Sequence, residues 1–222
     1  MKNIILKIFL TIAILAGLLV TATVFKNNKT TKIAFLGDSI TEYGWDLENG
    51  YVRRVAQGLS LAGIHLEPIP AGIAGDTTSD MLQRLDKDIL DKKPDIVFFM
   101  GGINDIWLFG GTLDTYSHNI ENITDKIKQS GATPIIISLT LITEDINASE
   151  NKKIDECNNY LKKYTAKNNI QYIDVNTVLK NELKQYKNPK NVLTVDGVHM
   201  NRKGDQLLAD TIITEFLKTY KH

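Results

Sequence analysis

Short apolar runs that alternate with stretches of helical spacing constrain the fold of this chain more than any other feature. The runs are rich in β-branched residues and lie at 32–36, 65–69, 95–100, 134–139 and 171–175. Apolar side chains recur three or four residues apart in the stretches between and after them, at 77–91, 113–130, 149–168 and 203–220. Such alternation is typical of a parallel sheet with helices on both faces. We therefore predict an α/β fold, a three-layer α/β/α sandwich of about five parallel strands.

The composition is that of a globular protein and argues against one class of partner. Of the 222 residues, 43% are hydrophobic and 23% are charged, and 26 basic residues balance 26 acidic ones. A nucleic-acid-binding surface needs a basic excess, so no nucleic-acid partner is expected. No shift in composition marks a second domain, so we expect residues 32–222 to form one domain. The sequence does not indicate the oligomeric state.

The first 25 residues are typical of a segment that targets or anchors a protein. Lys2 and Lys7 lie around a short apolar start, and an almost unbroken apolar run follows at residues 8–25. Small residues around Ala22 would allow cleavage of a signal peptide there, whereas the run is also near the lower length limit for an uncleaved membrane anchor. Either alternative predicts an exported protein, secreted or held on the outer face of the membrane. Residues 26–31 are then a polar linker.

Candidate functional residues follow the predicted strands directly. Ligands of open α/β sheets bind outside the carboxyl ends of the strands, so these positions share one edge. Four of the loops carry reactive or hydrogen-bonding groups: Gly37-Asp38-Ser39, residues 72–78, residues 101–105 and, past a short helical stretch, Asp196-Gly197-Val198-His199. The loop after the fourth strand, Leu139-Thr140-Leu141, is chemically quieter.

Ser39 needs a base before its hydroxyl can act as a nucleophile. The chain has four histidines. One is the terminal residue, one lies in a polar helical stretch and one lies in the second predicted strand, which leaves His199. Asp196 precedes His199 by three residues, a spacing that brings both side chains to one face of a helical turn. Ser39, His199 and Asp196 are therefore the candidate nucleophile, base and orienting carboxylate.

Acyl transfer also requires hydrogen-bond donors that face the developing oxyanion. The backbone N–H of Ser39 at a helix start, the backbone N–H of Gly75 and the side-chain amide of Asn104 are the candidate donors. Chemistry of this kind requires no metal and no cofactor, and we expect neither.

The same residues have ordinary structural interpretations. Ser39 suits a helix N-cap, with Glu42 three residues later to complete a capping box. Gly75 suits a tight turn, Asn104 a turn or cap, and His199 an exposed position after a turn. The catalytic interpretation depends on their joint occurrence at strand ends, which independent turns would not readily produce.

Four segments resemble, in order and in separation, the sequence blocks of the SGNH (GDSL-type) hydrolase family: GDSI at 37–40, Gly75 within AGIAGDTT, GIND at 102–105 and DGVH at 196–199. The resemblance implies a flavodoxin-like fold and a serine esterase with Ser39 as nucleophile, His199 as base and Asp196 as orienting carboxylate. It also implies an oxyanion hole formed by Ser39, Gly75 and Asn104.

The chain departs from the family pattern at one place. Many members carry an asparagine a few residues before the second-block glycine, where this chain has Pro70-Ala71. The glycine itself is present, so the backbone donor is still expected. The conformation of the loop before it can differ from that in other members. Asp38 and Asp105 fit the pattern, and we interpret them as groups that fix loops.

The resemblance implies hydrolysis of small-molecule carboxylic esters, either short acyl or O-acetyl esters or lysophospholipids. Trp45 and Trp107, together with Leu108 and Phe109, are candidates for the pocket wall, or else they pack over the sheet edge. Two alternatives stay open: transfer of the acyl group to a carbohydrate hydroxyl, and a non-catalytic cell-surface binding domain. The second usually lacks a member of the triad. A flavin or nucleotide binder would need a GxGxxG or P-loop segment, which is missing.

Overall fold

One five-stranded parallel sheet forms the centre of the computed structural model, which describes residues 30–107 and 110–220. The strands are β1 (Thr31–Gly37), β2 (Leu66–Gly72), β3 (Ile96–Met100), β4 (Thr133–Ile137) and β5 (Gln171–Ile173). Their order is β2-β1-β3-β4-β5, and all neighbouring strands are parallel. This is the flavodoxin-like order. The chain first adds strands on one side of β1 and then, from β3 onward, on the other side, so the topological switch point lies between β1 and β3. The predicted α/β class and the five parallel strands are confirmed.

Helices cover both faces of the sheet. In the described residues they are α1 (Ser39–Asp46), α2 (Tyr51–Leu61), α3 (Thr78–Asp88), α4 (Ile103–Trp107), α5 (Leu113–Gln129), α6 (Ser149–Lys167), α7 (Val175–Leu183) and α8 (Arg202–Thr219). A short 3-10 helix, Leu90–Lys92, follows α3. On one face α8 packs against α2 and α7, and on the other α5 packs between α3 and α6.

The burial of the strands follows their positions in the sheet. All of β3 (IVFFM) is buried, as is β1 from Ile33 onward, because both strands are central and covered on both faces. The edge strand β2 contains Pro68 and Pro70 and extends to Gly72, past the predicted end at residue 69. Proline lacks an N–H donor, and an edge strand tolerates it because only one side of the strand is paired.

Several other elements differ from the sequence prediction: helix α4 was not predicted, and strand β4 ends at Ile137, two residues before its predicted end. Helix α2 was not predicted, and its Gly58 would be expected to weaken a helix. A Cβ at Gly58 would lie 2.4 Å from Ile213 Cδ1, so the glycine lets α2 and α8 approach closely. Strand β5 ends two residues before the predicted Val175, because the Asp174 side chain accepts a hydrogen bond from Thr177 N and caps α7.

The predicted signal or anchor segment and residues 26–29 of the predicted linker lie outside the described residues, as do Leu108 and Phe109. Within the described residues, every helix is too short or too polar to cross a bilayer.

Candidate active site

Ser39 is the first residue of α1, directly beyond the end of β1. The N-cap is Asp38, whose carboxylate accepts a hydrogen bond from Ile40 N at 3.0 Å. Glu42 does not complete a capping box, because its carboxylate accepts from Ala74 N at 2.9 Å, in the loop after β2. The interpretation of Ser39 as N-cap is therefore wrong, and its hydroxyl is left for other partners.

Ser39, His199 and Asp196 form one hydrogen-bonded relay. Ser39 Oγ lies 2.9 Å from His199 Nε2, and His199 Nδ1 lies 2.7 Å from Asp196 Oδ2. An ionised carboxylate only accepts hydrogen bonds, so Nδ1 carries the imidazole proton. The lone pair on Nε2 then accepts the hydroxyl hydrogen of Ser39. The structure thus brings together the three residues that the sequence predicted for this relay.

Backbone hydrogen bonds hold the Asp196 carboxylate in place. Its Oδ1 accepts from Val198 N at 3.0 Å and from His199 N at 2.8 Å, which leaves Oδ2 for the imidazole. Partial burial raises the pKa of Asp196, but the hydrogen bonds from the His199 side chain and from these two amides outweigh it and hold the pKa below its usual range. Asp196 is therefore ionised at neutral pH and can orient the imidazole.

Glu144, in the loop after β4, holds the segment that leads to Asp196. Its buried carboxylate accepts from Val192 N at 2.8 Å, Leu193 N at 2.7 Å and both the N and Oγ1 of Thr194 at 2.8 Å. Thr194 Oγ1 accepts in turn from Gly197 N at 3.1 Å. The loop that the sequence marked as quiet thus supplies a support for the relay.

The three candidate oxyanion donors lie around one cavity. Ser39 N belongs to the first turn of α1, where no intrahelical acceptor exists. Gly75 has φ +84° and, among the described residues, its N–H meets no hydrogen-bond acceptor. The buried Asn104 amide donates one hydrogen to Asp76 O at 2.9 Å, which leaves its second N–H for a ligand.

The cavity has a volume of about 220 Å³, and its wall includes Ser39, Gly75, Asn104, His199, Tyr43 and Trp107. Trp107 is 49% exposed, and the Tyr43 ring centroid lies 5.1 Å from that of His199. Trp45 does not line this cavity in the described part of the chain. Its ring lies under the Arg53 guanidinium at 4.5 Å, packed against the core. The structure therefore brings one of the two predicted tryptophans to the site.

Asp38 and Asp105 both fix loops beside the cavity. Burial raises the pKa of Asp38 to about 7, and its hydrogen bond from Ile40 N opposes that rise. Asp105 accepts from Thr78 N at 2.9 Å and from the Thr78 hydroxyl, and so ties α4 to the start of α3.

Two charged residues beside the site, the buried Glu144 and the partly buried Arg84, are absent from the sequence prediction. Glu144 lies five residues beyond Leu139, and a lone acidic residue in a loop carries no motif. Arg84 lies on α3 between the buried Met81 and Leu85. The position of this arginine beside the apolar face of a predicted helix was the only sign of its role in the sequence. The sign is weak, because many arginines at such positions keep their charged group in water.

Comparisons with known proteins identify the family of the chain. Residues 35–207 match the model of the GDSL-like lipase/acylhydrolase family. An acetylxylan esterase from Geobacillus stearothermophilus is 25% identical over 205 residues, 83% of this chain and 93% of that protein. The lipoprotein YqeF of Bacillus subtilis (strain 168) is 29% identical over 85 residues, 36% of this chain and 35% of that protein. The crystal structure of the acetyl xylan esterase AlAXEase is 28% identical and has a TM-score of 0.74, covering 82% of this chain and 98% of that one.

Proposed function

The chain belongs to the GDSL-like lipase/acylhydrolase family and is a carboxylic ester hydrolase, and from this premise we propose that it cleaves short acyl esters through an acyl-enzyme on Ser39. The observation that carries the proposal is the hydrogen-bonded relay from Asp196 through His199 to Ser39, which ends in the wall of a small cavity. A serine held against an oriented imidazole is the arrangement that nucleophilic catalysis requires.

The reaction proceeds in two half-reactions. Ser39 Oγ attacks the ester carbonyl carbon while His199 Nε2 accepts the hydroxyl proton. The tetrahedral intermediate then expels the alcohol, which takes that proton from the imidazolium. A water molecule attacks the acyl-serine, again giving its proton to His199, and the carboxylic acid leaves as Ser39 recovers its hydrogen. Asp196 keeps the imidazole in the tautomer that both steps need.

The negative charge that develops on the carbonyl oxygen is stabilised by three donors. These are the N–H groups of Ser39 and Gly75 and the free N–H of the Asn104 amide, and all three residues line the same cavity. Fixed donors of this kind lower the barrier because they need no reorganisation when the charge appears. Asn104→Ala is expected to lower kcat by about 10²–10³-fold while the fold is retained.

The cavity supports a short acyl group on a carbohydrate alcohol as the substrate. Its volume of about 220 Å³ suits an acetyl group better than the extended chain of a lysophospholipid. The half-exposed rings of Trp107 and Tyr43 offer flat apolar surfaces of the kind on which sugar rings pack. Two relatives named as acetylxylan esterases agree with this choice. We therefore propose acetylated oligosaccharides as the substrate class.

A panel of esters tests this substrate class. Nitrophenyl esters of increasing acyl length are compared with acetylated xylo-oligosaccharides and a lysophospholipid. We expect kcat/KM to be highest for acetyl and to fall with each added pair of carbons. A preference for the lysophospholipid, or acetyl transfer to a sugar acceptor faster than release of acetate, would overturn it.

Substitution of the nucleophile and the base tests the mechanism. Ser39→Ala and His199→Ala are each expected to lower kcat/KM by about three orders of magnitude. Ser60→Ala, at an exposed position of α2, is the matched control and should keep full activity. Activity of Ser39→Ala close to that of the natural protein would rule out the acyl-enzyme on Ser39.

We also propose that the enzyme is exported, as a secreted protein or attached to the outer face of the membrane through residues 8–25. The support is the apolar run after Lys7 and the partial similarity to a protein named as a lipoprotein. Protease added to intact cells should degrade the enzyme, or the culture medium should contain it. Recovery of the full-length chain from the cytosol alone would contradict export.

A further inference from the structure

Arg84 is a partly buried cation, and almost all of its N–H donors have acceptors. Its side chain is 14% exposed, and Nε donates to Asp76 Oδ2 at 2.6 Å, while Nη1 donates to Asp88 Oδ2 at 3.3 Å. Nη2 donates to two backbone carbonyls, Gly37 O at 3.1 Å and Ala71 O at 2.9 Å. A guanidinium carries five N–H groups in a planar fork, so four defined contacts fix its position and orientation.

The acceptors of Arg84 belong to the segments that carry the oxyanion donors. Gly37 lies two residues before Ser39, at the end of β1. Ala71 and Asp76 flank Gly75 on either side. One side chain of α3 therefore ties the end of β1 to both ends of the loop after β2.

The third donor is joined to the same arrangement through Asp76. Its carboxylate binds Arg84, and its backbone carbonyl accepts the hydrogen bond from Asn104 Nδ2 at 2.9 Å. That hydrogen bond fixes the plane of the Asn104 amide and so the direction of its second N–H. Within the described residues, Arg84 makes no hydrogen bond to Ser39 Oγ, His199 or Asp196.

We propose that Arg84 positions the oxyanion donors Ser39, Gly75 and Asn104 relative to one another and is a positioning residue for ester hydrolysis. This inference rests on the function proposed above. A donor stabilises the transition state only when it lies within hydrogen-bond distance of the place where the oxyanion forms. A shift of one loop by about 1 Å can cost about 10²-fold in rate. The relay from Asp196 to Ser39 does not depend on Arg84 contacts and should remain intact without them.

Arg84→Lys is the substitution that tests the proposal. It keeps a cation beside Asp76. Burial raises the pKa of Asp76, and the hydrogen bond and charge of Arg84 oppose that rise. A single ammonium group cannot reproduce the planar fork, so the two carbonyl contacts of Nη2 are lost or weakened. We expect kcat for an acetyl ester to fall about 10- to 100-fold, with KM changed less than about threefold. Arg54→Lys is the matched control, because Arg54 also donates to a carbonyl, Asn49 O at 2.6 Å, and does not line the cavity.

Two further measurements separate positioning from a merely structural role. The downfield ¹H resonance of His199 Nδ1–H should persist in Arg84→Lys, which shows an unchanged relay. In a double-mutant cycle, the fold decrease in kcat caused by Arg84→Lys should be smaller in an Asn104→Ala background than in an Asp196→Asn background. The reason is that Arg84 and Asn104 both serve the oxyanion donors, whereas Asp196 serves the imidazole.

The outcomes distinguish this inference from the proposed function. A folded Arg84→Lys with kcat within about twofold of the natural enzyme, or with the same loss in both backgrounds, would overturn the positioning role and leave the Ser39 mechanism standing. Full activity in Ser39→Ala would instead remove the mechanism itself. Asp76→Asn weakens the contact between Arg84 and Asp76 and leaves the arginine in place. A fall in kcat with the same coupling to Asn104→Ala would therefore support the proposal even if Arg84→Lys did not fold.

Discussion

Ser39 is free to serve as a nucleophile because its neighbours perform the structural tasks that its sequence position suggests. Asp38, with φ −97° and ψ −152°, is the non-helical N-cap residue, and Glu42 binds the loop after β2. Aspartate and serine both favour N-cap positions, and only Ser39 was predicted in that role. Only the backbone conformation decides between them, so a pattern of residue types could not settle which one caps α1.

Asp196→Asn tests the role of the carboxylate at this scale. The asparagine oxygen can take the place of Oδ1 and accept the hydrogen bonds from Val198 N and His199 N. The NH₂ group of the asparagine then faces His199 Nδ1. A donor there favours the tautomer with the proton on Nε2, so Ser39 loses its proton acceptor. We expect kcat to fall by about 10²–10⁴-fold with little change in KM.

Steady-state kinetics on an acetyl ester measure this loss, and Asp210→Asn, at an exposed position of α8, serves as the control. Equal kcat in Asp196→Asn and the natural enzyme would mean that the imidazole needs no oriented carboxylate.

Asp38→Asn tests the energetic cost of burying a carboxyl group beside the site. Burial raises the pKa of Asp38 to about 7, whereas an unfolded aspartate titrates near about 3.9. Between these pH values the folded state binds the extra proton, so the stability contributed by protonated Asp38 is complete below about pH 4 and is lost as the pH rises to about 7. Asparagine keeps the N-cap acceptor but does not titrate.

The free energy of unfolding of Asp38→Asn should therefore rise relative to that of the natural protein between about pH 4 and pH 7, by up to about 1.4 kcal/mol per pH unit. Chemical denaturation at each pH measures the difference. Parallel curves for the two proteins across this range would show that Asp38 is ionised in the folded state.

At the scale of elements, the segment between α7 and α8 shows how a loop without regular structure becomes rigid. Glu144 accepts hydrogen bonds from three consecutive residues before Asp196. The backbone of Val195 donates to His199 O at 2.9 Å, which closes the turn that carries the relay. One buried carboxylate and a few backbone hydrogen bonds hold this segment in place outside the strands and helices of the fold.

Glu144→Gln removes part of this support. The amide oxygen can keep the contacts to Leu193 and Thr194, but the NH₂ group then opposes Val192 N–H. Two donors face each other in a buried site, which is expected to cost about 1–3 kcal/mol in the free energy of unfolding and to lower kcat. Glu48→Gln, at an exposed residue, should change stability by less than about 0.5 kcal/mol.

The pH dependence adds a check on this prediction. Burial raises the pKa of Glu144, but the hydrogen bonds from Val192, Leu193 and Thr194 outweigh it and lower the pKa. The contribution of the ionised carboxylate is therefore present above about pH 4.3 and is lost as the pH falls through the lower folded pKa. The stability difference between Glu144→Gln and the natural protein should shrink in acid. A constant difference down to pH 3 would contradict the role of the charge.

At the scale of the whole molecule, the sequence predicted the fold because local patterns and topology agree. Apolar strands that alternate with amphipathic helices leave few ways to form a sheet, and parallel strands place their carboxyl ends at one edge. For the same reason Ser39, Asn104 and His199 were expected at the same edge, and the structure places them around one cavity.

What could not be predicted depends on long-range contacts. Apart from Asp88, which is four residues away, the partners of Arg84 are 8–47 residues away along the chain, and those of Glu144 are 48–50 residues away. They include backbone carbonyls and amides, which every residue type except proline supplies. The Trp45 ring packs under the Arg53 guanidinium, and Trp45 does not line the cavity in the described part of the chain. Residue types at fixed spacings carry no information on such pairings.

The identity of the residue that forms the covalent intermediate is the most direct test of the proposed mechanism. The natural enzyme is treated with a fluorophosphonate, which forms a stable adduct with an activated serine, and the modified peptide is identified by mass spectrometry. We expect one adduct per chain, on Ser39, with loss of esterase activity in proportion to labelling and much slower labelling in His199→Ala. An adduct on another residue, or full activity in a protein whose Ser39 is completely modified, would contradict the mechanism.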